Sequence, residues 1–108
     1  MIVMLCTAED GKTGSCDCYW NNEIFSKAGI QITVEETTKV SKHLEFKRLK
    51  YRKGKDVHTV NHLFYVDWPD QGVPEIKEGY DTLIQMIDYI EKEKRKNPSP
   101  VVVHCSAG

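Results

Sequence analysis

Val101-Val-Val-His-Cys-Ser-Ala-Gly108 closes the 108-residue chain, and its reading decides the fold. Three consecutive β-branched residues predict a strand buried on both faces, because a strand with one wet face would alternate apolar with polar. That strand delivers His104 and Cys105 at its C-terminal end, where Ser106, Ala107 and Gly108 are small enough for the backbone to curl tightly. A loop of this kind turns successive N–H groups inward. Such a nest binds an anion and favours the nucleophilic thiolate at neutral pH. Taken alone, the same residues also fit a buried core thiol at Cys105.

Upstream of the valines, Tyr80, Leu83, Ile84, Ile87 and Ile90 recur at helical spacing, with Asp81, Gln85, Asp88 and Glu91 on the other faces. They predict an amphipathic helix of about five turns at most. Lys92-Glu-Lys-Arg-Lys96 places cations where the helix dipole favours them, and Pro98 stops the helix. This charge run reads as a solvated helix end. Before the helix, Asp67-Trp-Pro-Asp-Gln-Gly-Val-Pro74 holds two prolines and a glycine within eight residues and reads as a loop. Within it, Trp68-Pro-Asp70 offers a carboxylic acid on a stiffened segment, with Gly72 as a hinge and Trp68 as an apolar body to pack it. That suits a general acid closing over a substrate. Alone, it equally fits a plain turn.

The remaining segments read as strands. Met1–Cys6 is a short apolar run, and Ile30–Val34 alternates as a half-buried strand does. Leu44, Phe46, Leu49 and Tyr51 lie on a run whose alternation slips at Lys47-Arg48, which suggests a bulge. Arg52-Lys-Gly-Lys-Asp56 then turns the chain into Val57–Val66, giving a long antiparallel hairpin. His58 and His62 fall on that second arm and read as sheet residues, not as metal ligands. The fold class is therefore α/β (α+β).

Composition excludes several functions. Lys plus Arg number 15 and Asp plus Glu 16, a formal net charge of 15 − 16 = −1, which lacks the basic footprint of nucleic-acid binding. No apolar run approaches the roughly 20 residues that cross a bilayer, so no membrane contact is expected of this segment. Four cysteines, at positions 6, 16, 18 and 105, are too few and the chain too core-rich for a disulfide scaffold. Reduced thiols in an intracellular setting are the expectation, with Cys6 a small buried hydrophobe. The spacing of Cys16 and Cys18 does not suit a zinc site.

Taken together, the two loops are far more specific than either. Ile2-Val-Met-Leu5, Cys16-Asp-Cys-Tyr-Trp20, Val60-Asn-His62, Trp68-Pro-Asp70 with Gly72-Val-Pro74, and Val102-Val-His-Cys-Ser-Ala-Gly108 appear in the order found in the protein tyrosine phosphatases, which the chain resembles along its whole length. The resemblance implies a twisted mixed sheet flanked by helices, of which this chain holds part, and hydrolysis of phosphotyrosine in proteins through a cysteinyl-phosphate. Cys105 is then the nucleophile, and Asp70 first protonates the departing tyrosyl oxygen and later activates water. Ser106, Ala107 and Gly108 join Cys105 in binding the phosphate, while His104 supports the thiolate. No metal or other cofactor is implied, and phosphotyrosine-containing proteins are the implied partners.

The family's phosphate loop reaches an Arg six residues past its Cys, which here is position 105 + 6 = 111, beyond Gly108. The usual Glu that holds this Arg aligns with Asp10, next to Glu9, while Ser15 and Asn21 replace a usual Lys and Pro. Residues 1–108 are thus expected to be part of a tyrosine phosphatase catalytic domain, neither folding stably nor turning over substrate alone. A catalytically inactive phosphatase-like module, which binds phosphotyrosine or a partner domain, is the alternative. A Cys–His hydrolase is disfavoured, because neighbours on an extended segment point to opposite faces and His104 cannot serve Cys105 as its base.

Overall fold

The computed structural model describes residues 1–6, 19–21, 23–66, 68, 73 and 76–105. Five strands, β1 (Ile2–Leu5), β2 (Ile30–Lys39), β3 (Leu44–Lys53), β4 (Asp56–Tyr65) and β5 (Val102–His104), form one sheet in the order β2-β3-β4-β1-β5. Two helices accompany them, α1 (Glu23–Lys27) and α2 (Ile76–Lys96), with a 3-10 turn at Tyr19–Asn21. The sheet is mixed, as the family resemblance implies. β2, β3 and β4 run antiparallel, whereas β1 pairs parallel with both β4 and β5.

The hairpin forms because Gly54 takes a positive φ of 61°, a conformation that costs a residue with a Cβ, and so lets Lys53 pair with Asp56 across a two-residue turn. The expected bulge lies not on β3 but on β2, where Glu35 is the extra residue opposite Arg48 and Leu49. The slip in alternation on β3 has a different cause. Both faces of the sheet are covered, so Phe46 and Lys47 are buried in opposite directions.

On one face, Val3, Leu44, Leu63 and Tyr65 pack with Met86 of α2, and Asn61 donates to Glu93 Oε2 at 2.8 Å. On the other, Met4, Cys6, Leu49 and Phe64 pack with Trp20 of the 3-10 turn. His62 belongs to this second face and is fully buried. Burial, reinforced by the charge of Lys47, pushes its pKa from 6.5 down to about 4.

Four expectations need correction. The helix starts at Ile76, earlier than the apolar pattern indicates, and its packed face is different. Leu83, Met86, Tyr89 and Ile90 meet the sheet, while Tyr80, Ile84 and Ile87 are exposed, because the apolar stripe is wider than the strip of helix the sheet covers. Val102 and Val103, expected to be fully buried, are each 57% exposed, since β5 is an outer strand that pairs with β1 alone among the described strands. β2 is twice the expected length. Finally, Cys6 is buried but disulfide-bonded. Composition argues against a disulfide-dense scaffold, which leaves a single bridge untouched.

Two predictions follow from this packing, for a protein carrying the segment. Leu63→Ala should cost about 2–5 kcal/mol in denaturant unfolding, because Leu63 is fully buried between β1 and β3. Val57→Ala, at a half-exposed position, should stay within about 0.5 kcal/mol. His62 is depressed in the folded state, so the unfolded chain takes up its proton first as pH falls. Stability conferred by neutral His62 is therefore complete above pH 6.5 and is lost as pH drops towards about 4, by ~3 kcal/mol in total. His62→Gln should flatten that part of a pH–stability curve; an unchanged slope between those limits would refute the assignment.

Candidate active site

Three parallel strands set the site. β4, β1 and β5 lie side by side and end together, with Tyr65 opposite Leu5 and His104 opposite Met4. The chain leaving β4 towards Trp68 and the chain leaving β5 through Cys105 therefore depart from one edge of the sheet. They start two strand spacings apart, about 10 Å. In open α/β sheets, ligands gather at this carboxyl edge.

Cys105 follows β5 directly and is a free, exposed thiol. Its carbonyl oxygen lies 3.1 Å from His104 Nδ1, which as the only possible donor of the two must carry a proton. The other ring nitrogen, His104 Nε2, lies 3.0 Å from the Tyr19 hydroxyl. The same hydroxyl contacts His62 Nε2 at 2.6 Å. Register explains the meeting. His62 pairs with Ile2 and His104 with Met4, so both imidazoles lie on the face covered by the 3-10 turn that carries Tyr19.

A cation is built into the same face. Lys47 pairs with His62 across β3 and β4, is 7% exposed, forms an ion pair with Glu45 and sits 5.3 Å from the centre of the Trp20 ring. Trp20 in turn packs edge-on to His62, with ring centres 5.0 Å apart. Trp68, at the base of the second loop, packs edge-on to Tyr65 at 5.4 Å and against the core that α2 covers. The loop is thus anchored at its root to the end of β4. A groove of about 810 Å³ bordered by Tyr51, His58, Asn61 and Glu93 reaches Tyr19 but has neither His104 nor Cys105 in its wall.

Of the residues singled out from sequence, His104, Cys105 and Trp68 are therefore seen at or beside this edge. Asp70, Ser106, Ala107 and Gly108 lie outside the described residues. Sequence reasoning missed Tyr19 and His62 as members of the site. Both stand in stretches quoted for the family resemblance, but a hydroxyl bridging two histidines from separate strands leaves no spacing signal. The one available clue is a histidine within the apolar run Val60–Val66.

Comparison with known proteins bears on the family and the fold. The chain matches the protein-tyrosine phosphatase family over residues 1–108. It is 30% identical over 111 residues to the mouse tyrosine-protein phosphatase non-receptor type 5, covering 100% of this chain and 20% of that protein. It is 32% identical over 112 residues to the Lar-like tyrosine-protein phosphatase of Caenorhabditis elegans, covering 99% of this chain and 5% of that one. The catalytic domain of human protein tyrosine phosphatase non-receptor type 18 superposes with a TM-score of 0.75 at 27% identity, over 99% of this chain and 38% of the domain's chain. The same phosphatase in complex with HER2 phospho-peptides gives a TM-score of 0.73 at 25% identity, over 97% of this chain and 36% of that chain. The chain spans a quarter or less of these curated relatives' length and part of the catalytic domain. Its sheet, its strand-end thiol and its match along the whole length together show that it belongs to the protein-tyrosine phosphatase family.

Proposed function

We propose that residues 1–108 are part of a catalytic domain that hydrolyses phosphotyrosine in proteins, with Cys105 as nucleophile and Asp70 as general acid. The observation that carries this reading is the shared carboxyl edge of β4 and β5. Asp70 stands five residues beyond Tyr65, and five residues of chain span up to about 17 Å, which exceeds the roughly 10 Å between the two strand ends. The acid can therefore meet the thiol. The type 18 relative's complexes with HER2 phospho-peptides support phosphotyrosine proteins as the substrate class.

The chemistry has two steps. The Cys105 thiolate forms an S–P bond as the bond from phosphorus to the tyrosyl oxygen breaks, and Asp70 gives its proton to that oxygen. Protonation matters because a phenolate, with a conjugate-acid pKa of about 10, leaves poorly. Asp70, now a carboxylate, takes a proton from water as the water oxygen attacks phosphorus, and the S–P bond breaks to release phosphate and the thiolate. As the family resemblance implies, Ser106, Ala107 and Gly108 would hold the phosphate oxygens through both steps with their backbone N–H groups. His104 fixes the Cys105 carbonyl, and Trp68 anchors the acid loop. The setting proposed is intracellular, where phosphotyrosine proteins occur.

The family's loop Arg falls at position 111, and a guanidinium that grips two phosphate oxygens at once cannot be replaced by water. The 108-residue chain alone should therefore not turn over p-nitrophenyl phosphate, and measurable turnover would contradict the reading. Exposed Tyr80, Ile84, Ile87, Val102 and Val103 further suggest that it would aggregate when isolated.

In a longer protein that carries the segment and the loop Arg, Cys105→Ser should abolish turnover. Asp70→Ala should lower kcat by about 10²–10⁴-fold while leaving phosphopeptide binding nearly unchanged. Wild-type turnover in Asp70→Ala would remove Asp70 from the acid role. Phosphopeptide binding without turnover in the unmutated protein would instead favour an inactive phosphatase-like module.

A further inference from the structure

The network behind Cys105 extends deeper than His104, and its hydrogen bonds have one consistent direction. We propose that His62 is a positioning residue for Cys105: His62 Nε2–H donates to Tyr19, Tyr19 O–H donates to His104 Nε2, and His104 Nδ1–H donates to the Cys105 carbonyl. The consequence for catalysis rests on the phosphatase reading above, whereas the bond chain itself does not.

The direction is set from the carbonyl end. A carbonyl oxygen only accepts, so His104 Nδ1, 3.1 Å away, carries the proton. A neutral imidazole holds one such proton, which leaves Nε2 bare and makes it the acceptor of the Tyr19 hydroxyl at 3.0 Å. A tyrosine hydroxyl has a single proton. With that proton directed to His104, its contact with His62 at 2.6 Å can form only if His62 Nε2 is the donor.

An independent observation agrees. If His62 carries its proton on Nε2, its Nδ1 is a bare acceptor, and Nδ1 is the buried atom with no hydrogen-bond partner among the described residues. The opposite tautomer would bury an unpaired N–H, which native structures rarely tolerate. Of the groups around the ring, the Lys47 cation opposes a second proton, and the Glu45 carboxylate paired with it acts the other way. Lys47 and its partner Glu45 come from β3, Tyr19 and Trp20 from the 3-10 turn, Phe64 from β4 and His104 from β5. Burial and the Lys47 charge keep the imidazole neutral, and hence able to act as both a fixed donor and a bare acceptor.

The functional value lies in removing a choice. Without a donor at position 62, the Tyr19 hydroxyl loses the bond that directs its proton to His104, and the His104 proton can then move to Nε2 and release the Cys105 carbonyl. The carbonyl sits one bond from the Cα that carries the thiol, so freeing it loosens the aim of Sγ. Misplacement of a reacting atom by about 1 Å is enough to cost on the order of 10²-fold in rate.

The test uses a longer, active protein carrying this chain, labelled with ¹⁵N-histidine. At neutral pH the ring nitrogens should report His62 as the Nε2–H tautomer and His104 as the Nδ1–H tautomer. His62→Phe, which fills the volume without a donor, should give His104 a mixture of tautomers and lower kcat by about tenfold or more with KM little changed. His62→Gln, whose amide can donate to Tyr19, should restore both. Finding His62 as the Nδ1–H tautomer in the wild type, or an unchanged His104 signature in His62→Phe, would overturn the proposal. Should His62→Phe not fold, the wild-type tautomers and the His104 signature in Tyr19→Phe decide the matter. Failure of the phosphatase reading would appear separately, as turnover that survives Cys105→Ser while the tautomers stand as described.

Discussion

The parallel pairing of β1 with both β4 and β5 is the constraint on which the rest depends. Parallel strands of one sheet must be joined by a long crossover, and here the connection that carries α2 makes that return from β4 past β1 to β5. The geometry has two results. It points the ends of β4 and β5 at one edge, and it forces the crossover helix to cover one face of the sheet. Anchoring therefore divides between two sides: α2 holds Leu63 and Tyr65 on one, while the 3-10 turn with Tyr19 and Trp20 closes the other.

The two faces are chemically unlike, and the difference follows from what each must do. The α2 face is an apolar core bordered by the Asn61–Glu93 hydrogen bond. On the opposite face, a lysine, two histidines and a tyrosine intrude among Met4, Leu49 and Phe64. Polar groups in such a position are costly unless partnered, and most of these are: Lys47 by Glu45 and the Trp20 ring, His104 by Tyr19 and a carbonyl. The pattern places rigidity directly behind the strand end that carries Cys105.

Residues whose physics is local were legible in the sequence. Gly54 within a polar run marked the hairpin turn, alternation marked Ile30–Val34, and the helical spacing of Leu83 and Ile90 marked α2. His104 and Cys105 could be placed at a strand end, because valines followed by small residues admit few other readings. What escaped depends on the third dimension. Phe46 and Lys47 look like a broken strand until both faces are known to be covered. Val102 and Val103 look central until β5 is seen on the outside of the sheet. Which part of the broad apolar stripe on α2 meets the sheet is decided by how the helix sits, and no periodicity records it.

Tyr19 and His62 illustrate the same limit at the site. They stand 43 residues apart, and His104 lies 85 residues from Tyr19, so nothing in sequence spacing joins them. Register joins them instead. The hairpin fixes His62 opposite Lys47, β1 fixes His62 opposite Ile2 and His104 opposite Met4, and the side-chain alternation of three strands then presents both rings to one hydroxyl. A one-residue slip in β1 against either neighbour would turn one imidazole to the α2 face and break the chain of bonds. The apolar residues of β1 thus do more than fill a core: Val3 packed towards α2 and Met4 packed towards Trp20 lock the register that brings a buried histidine to bear on an exposed cysteine.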